Sequence, residues 1–109
     1  MTVKTVYASS VAVLDSNVHT GGGTNVTRQL QGVLDLAKTE GGIHLIMDGA
    51  ALVSGLILHS NTTIECLTKD CGFFLDDHSN CAIVTNADYD KKVIRNRCIS
   101  LLGGTYNHN

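Results

Sequence analysis

Residues 55–77 read GLILHSNTTIECLTKDCGFFLDD, three short apolar runs in succession: Leu56-Ile57-Leu58, Ile64 to Leu67 and Phe73-Phe74-Leu75, each cut off by polar turn residues. None is long enough, or correctly spaced, to be the buried stripe of a helix. They read as strands of something that repeats. The same signature extends upstream, where Ile43, Leu45 and Met47 lie on one side of a period-two pattern and His44 and Ile46 on the other. The strand candidates form two interleaved series, 43–47, 63–67, 81–85 and 98–102, and 56–58, 73–75 and 93–94, with steps of about 17 to 20 residues. One turn of such a chain cannot bury its own apolar face, so successive coils are expected to stack and share an interior. Asn61 and Asn80 fall at the corners, where Asn tolerates a left-handed backbone. Phe73 and Phe74 are adjacent in a strand, so one faces inward and the other outward, where it can form a contact surface.

Before residue 41 the period changes. Val26, Leu30, Val33, Leu34 and Ala37 fall at i, i+4, i+7, i+8 and i+11, one face of an α-helix from residue 25 to 39. Thr24 or Asn25 supplies its N-cap and Gly41 its stop. Standing before the first coil, this helix is expected to cap the open N-terminal mouth of the stack. Residues 3–7 and 11–14 cluster β-formers and predict one or two short strands, broken by Asp15-Ser16-Asn17 and by the loop at Gly21-Gly22-Gly23.

A chain of 109 residues is one domain by length, dividing into N-terminal strands and loop (1–24), helix (25–40) and strands (41–109). With 11 Gly and no Pro, its many turns are made by Gly, Asn and Asp. A net charge of −2 without any Lys/Arg run argues against nucleic acid and membrane surfaces as partners. The apolar stretch Val11 to Leu14 is too short for a secretory or spanning segment, so the sequence as written predicts a soluble chain, cytoplasmic or part of a virion. Cys66, Cys71, Cys81 and Cys98 allow three disulfide pairings, but without an export signal they are expected as free buried thiols.

The stretch TNVTRQLQGVLDLAKTEGGIHLIMDGAALVSGLILHSNTTIEC, residues 24–66, resembles the opening of the pectate-lyase-like superfamily, especially its polygalacturonase-type branch. The matching positions are Thr24, Gln29 or Gln31, Gly41-Gly42, Leu52, Ser54-Gly55, Leu56, Leu58, Ser60-Asn61 and Thr63, and the segments CAIVTNAD and ISLLGGTYNHN look like further coils. The resemblance implies a mainly β fold: the first coils of a right-handed parallel β-helix with an N-terminal amphipathic capping α-helix. It implies a longer parent that binds or cleaves polysaccharide as a hydrolase or lyase. The family's acidic loop is replaced here by residues 19–25, and its Asn-Thr-Asp, Gly-His-Gly and Arg-x-Lys motifs are absent. The segment itself is therefore expected to be non-catalytic.

The remaining candidates for chemistry are few. Polysaccharide hydrolysis needs two carboxylates flanking the bond, and the acids available are Asp76, Asp77 and Asp88, which also read as turn residues. Cys66, Cys71, His78 and Cys81 carry the donor types of a Cys3His zinc tetrahedron at loosely suitable spacing, whereas buried Cys more simply acts as a small hydrophobe. No cofactor is expected. Two rival readings are a phage tailspike segment with a structural or glycan-recognition role and a small Cys/His zinc domain. The last coil would expose unpaired backbone, so self-association at that end is expected.

Overall fold

The computed structural model of the protein describes residues 3–77, 83–86 and 99–108. Strand β1 (Lys4–Tyr7) is followed by a 3-10 turn, a long irregular segment, and helices α1 (Thr27–Asp35) and α2 (Ala37–Glu40). Strands β2 (Ile43–Met47), β3 (Ala50–Val53), β4 (Leu56–Leu58), β5 (Thr62–Cys66), β6 (Gly72–Leu75), β7 (Val84–Asn86), β8 (Ser100–Leu102) and β9 (Thr105–Asn107) complete it. They form three parallel sheets, ordered β1-β2-β5-β8, β3-β6-β9 and β4-β7.

This corrects the expectation of a mainly β, right-handed parallel β-helix with a capping helix. Among the described residues the fold is small and mixed, three short parallel sheets of four, three and two strands plus the helical segment, and no solenoid coiling is shown. A fixed repeat would put paired positions a constant distance apart, and they are not. Ile43 lies opposite Thr62, 19 residues on, but Thr63 lies opposite Ser100, 37 on. Ala50 and Gly72 are 22 apart, Gly72 and Thr105 33, Leu56 and Val84 28. The two-series reading fails for the same reason. Leu56–Leu58 and Gly72–Leu75 belong to different sheets, and Val84–Asn86 pairs with β4 rather than with the sheet containing β2. Of the predicted strands, 93–94 and the first two residues of 81–85 lie outside the described residues, as does the corner at Asn80.

The core is shared between helix and strands rather than closed by repetition. Val26, Leu30, Val33, Leu34 and Ala37, the stripe read from the sequence, are all buried, in one cluster with Ile43, Leu45, Met47, Ile64 and Phe73. Fully burying a side chain of the size of Leu30 or Leu34 stabilises by about 1.5 to 3 kcal/mol. The residue at the N-cap of α1 is Val26, which has no side-chain cap bond, and one residue earlier the Asn25 Oδ1 accepts from the Thr27 N–H at 3.1 Å and from Thr27 Oγ1 at 2.6 Å. Gly41, with φ of 83°, ends the segment in the left-handed region. Asn61 also adopts a left-handed backbone, φ 61°, at its corner before β5.

Residues 11–14 are not a strand. They begin a strap that runs over the outer face of the β3-β6-β9 sheet. The Leu14 side chain lies against Gly49, the Ser16 N–H donates to Ala50 O at 3.4 Å, Gly21 packs on the Phe74 ring, and Asn107 Nδ2 donates to Val18 O at 2.8 Å. Asp15 closes the strap on itself by accepting from the Thr24 N–H at 2.8 Å and Thr24 Oγ1 at 2.9 Å. These donors, the Thr24 N–H foremost, hold its carboxyl below the usual carboxylate range. The strap explains why every residue of β3 and β6 is buried, whereas β5 alternates. Phe74 does face outward, but at 8% exposure it is roofed by the strap and is no contact surface.

Candidate functional site

The described candidate acids sit where β6 ends. Asp76 is drawn into a network centred on Asn25: Asn25 Nδ2 donates to Asp76 Oδ2 at 2.8 Å and to Ser54 Oγ at 2.6 Å. Thr27 Oγ1 accepts from the Ser54 N–H at 2.7 Å, and Asp76 Oδ1 accepts from the Asp77 N–H at 2.8 Å. Four parts of the chain, the helix start, the bend after β3, the end of β6 and the turn that follows, are thereby tied together. Each oxygen of Asp76 accepts a hydrogen bond from a fixed donor, an arrangement that anchors structure. A general base instead keeps an oxygen within reach of substrate or water. Beside the network lies a cavity of about 440 Å3 whose walls include Thr20, Gly22, Gly23, Phe74, Asp76 and Asp77. It is roofed by the strap. Asp88 lies outside the described residues.

A larger cavity lies elsewhere. It is an open groove of about 780 Å3 along the solvent side of α1, from Asn25 past Arg28 and Gly32 to Asp35. At its far end Asp35 Oδ1 meets His59 Nε2 at 2.9 Å and accepts from Gln31 Nε2 at 2.9 Å. Partial burial acts to raise the Asp35 carboxyl, but the Gln31 and His59 donors, with the charge of Lys38, outweigh it and hold the group below its usual range. A second pair, His44 Nε2 and Glu65 Oε1 at 2.8 Å, lies on the outer face of the four-stranded sheet. Neither pair has a hydroxyl or thiol nucleophile bonded to its imidazole among the hydrogen bonds described.

The zinc candidates are divided. Cys66 and Cys71 are buried free thiols in the core cluster, while His78 and Cys81 lie outside the described residues. Burial, with a smaller contribution from Cys71, pushes the Cys66 thiol up to about 11. Without a metal beside it, the thiol is a protonated hydrophobe at neutral pH. Among the described residues no three His, Cys, Asp or Glu side chains are grouped to hold a metal, and no helix is long and apolar enough to cross a membrane.

The Asn25 network had one legible member, since Asn25 reads as a helix cap. Its link to Asp76, 51 residues on, has no local signature, because it depends on which strand ends stand beside the helix start. The His59–Asp35–Gln31 cluster is hidden for the same reason. In comparisons with known proteins, the chain matches no family model, no curated protein and no solved structure.

Proposed function

We propose that this chain is a non-catalytic assembly module that pairs with a second copy of itself across the face formed by β8 and β9. The observation that carries this reading is Leu101. Its register places it in line with Leu45 and Ile64, which are fully buried, yet it is 43% exposed. Beside it Leu102 is 50% exposed, and among the described residues β8 pairs only with β5 and β9 only with β6. Apolar side chains next to unpaired strand edges favour a further strand.

The opposite side argues that the contact is symmetric. There the edge of β3 is occupied by Val26, whose N–H donates to Leu52 O at 2.9 Å, and the edge of β4 by Gln31 and α1. A head-to-tail stack would set β8 on the open edge of β1 but press β9 against the Asn25–Val26 segment, whereas a two-fold contact gives both strands a free edge. The β8–β9 face therefore meets its own copy about a two-fold axis, with strands antiparallel across it. A role on polysaccharide rests on the resemblance alone, and the tethered Asp76 adds nothing to it.

The test is light scattering across a concentration series, with Leu101→Lys as the variant. The wild type is expected to shift from monomer to dimer in the micromolar to millimolar range, and Leu101→Lys to remain monomeric with an unchanged far-ultraviolet spectrum. A wild type that stays monomeric at millimolar concentration, or a variant that dimerises equally well, overturns the proposal.

A further inference from the structure

On the side opposite β8 and β9, three strand edges face outward, and the fold covers two of them with its own residues. At β3 the segment Asn25–Val26 forms an isolated parallel bridge to Leu52. At β4 the Gln31 amide acts as a mock strand, accepting from the Ile57 N–H at 2.8 Å and donating to Ile57 O at 3.0 Å. The third edge, β1, pairs only with β2 among the described residues. The bond from the Lys4 N–H to Gly42 O at 3.1 Å fixes the phase of this parallel ladder. Lys4 and Val6 turn their N–H and C=O groups to β2, so Thr5 and Tyr7 turn theirs away. Tyr7 O accepts from Ser10 Oγ at 2.7 Å. The Thr5 N–H and C=O and the Tyr7 N–H remain directed at the open edge.

Beside that edge runs a groove of about 440 Å3 between β1 and α1, whose walls include Lys4, Val6, Tyr7, Val11, Val33 and Leu36. Tyr7 is 51% exposed and Val11 39%. A strand edge asks for backbone, and an apolar groove alongside asks for side chains at every second position of that backbone. Among the described residues Lys4 is the only charged one on the groove wall, and it sits at the start of β1.

We propose that β1 is a strand-addition site for an extended peptide of a partner protein, one that carries apolar side chains at alternating positions and a carboxylate opposite Lys4. The peptide's backbone pairs with Thr5 and Tyr7. Its apolar side chains fill the groove against Val33 and Leu36, and its acid meets the Lys4 ammonium. Nothing in this assignment depends on the β8–β9 face, which lies on the other side of the sheet.

The probe is a pair of fluorescently labelled, end-capped hexapeptides of alternating Val and Thr, with Asp at the N-terminal end in one and the C-terminal end in the other, titrated by anisotropy into the full chain. Saturable binding of one is expected. Methylating its alternate backbone nitrogens in one phase should weaken binding at least tenfold, and methylating the other phase should leave it nearly unchanged. In the protein, Thr5→Pro removes only the outward N–H, since proline is tolerated where a strand's N–H faces away from its neighbour. It should weaken binding tenfold or more, and Lys4→Glu should abolish the preference for one Asp position over the other. Should Thr5→Pro fail to fold, the methylated peptides decide alone. Absence of saturable binding overturns the proposal, as does equal binding of both methylated forms. Self-association abolished by Thr5→Pro but not by Leu101→Lys overturns it too, because the occupant would then be a second copy of the chain.

Discussion

Gln31 replaces a strand with a side chain, and removing it measures what that replacement contributes. In Gln31→Ala the Ile57 N–H and C=O both lose their partner, and Asp35 loses one of its donors. A neutral hydrogen bond contributes about 1 kcal/mol net. Ile57 is 44% exposed, so water recovers part of the loss, and Ala gains a few tenths of a kcal/mol in helix propensity. The expected cost is about 1 to 2 kcal/mol, equivalent to roughly 4 to 8 °C in Tm for a chain of this size. Gln31→Glu separates the two halves of the amide. One carboxylate oxygen still accepts from the Ile57 N–H, but the other faces Ile57 O and the Asp35 carboxylate with no proton to give.

That variant should be less stable than Gln31→Ala at pH 7. Its introduced carboxyl has a folded-state pKa raised by Asp35 and the carbonyl, so its deficit is full at neutral pH and shrinks as pH falls toward about 5 and protonation restores a donor. Urea unfolding followed by far-ultraviolet circular dichroism gives both numbers, and amide exchange at Ile57 reports on the edge itself. The reasoning is refuted if Gln31→Ala leaves stability and Ile57 protection unchanged, or if the Gln31→Glu deficit does not vary with pH.

Gly32 lies inside α1 with open space where a Cβ would be, so Gly32→Ala should stabilise by about 0.5 to 1 kcal/mol in the same urea assay; a loss would mean that the groove along α1 is narrower than described. Thr62 is fully buried, and its hydroxyl has no partner among the described residues, so the near-isosteric Thr62→Val should be neutral to about 1 kcal/mol stabilising, and a clear destabilisation would reveal a bond to that hydroxyl. The Asp35 carboxyl is held low in the folded state, so it contributes stability above its ordinary value of about 3.9 that disappears as pH falls through the lowered folded value. Wild type should therefore exceed Asp35→Asn at pH 6, and the gap should close toward about pH 2; a gap constant over that range would show that Asp35 is not selectively stabilised as a carboxylate.

What was legible in the sequence was what is local. The α1 stripe follows from period 3.6 in five residues, Gly41 and Asn61 from the left-handed backbone their positions require, and β2 from Ile43, Leu45 and Met47 at a period of two. Strand β3 left no comparable mark. GAALV, residues 49–53, is a continuous apolar run because both of its faces are covered, one by the core and the other by the strap, and such a run cannot be distinguished by periodicity from the end of a helix or a bend. Missing β3 merged two sheets into one series, and that merger made unequal spacings look like a single repeat. The strap had no signal of its own. Its contacts with Ala50, Phe74 and Asn107 join residues 34 to 89 positions apart, and its internal order comes from Asp15, Asn17 and three glycines that read as an ordinary turn.

The two flanks of the four-stranded sheet show how the fold distributes a liability common to all β-structure. Each of the three sheets begins on the helix side with an edge that needs partners. A backbone bridge at Leu52 and a glutamine amide at Ile57 serve two of those edges for the cost of residues the helix already supplies. The third edge is covered by β1, which only moves the problem outward by one strand. No helix residue can repeat the Gln31 solution there, because the groove to Val33 and Leu36 stands between α1 and the new edge. A fold under pressure only to avoid pairing would place charge or a proline on that strand. Here Lys4 guards its start, while Thr5, Val6 and Tyr7 remain good strand formers facing an apolar groove. That combination, a guarded end and a receptive middle, is what a selective strand acceptor requires, and it distinguishes β1 from β8, where Leu101 and Leu102 stand exposed without a charge in the strand.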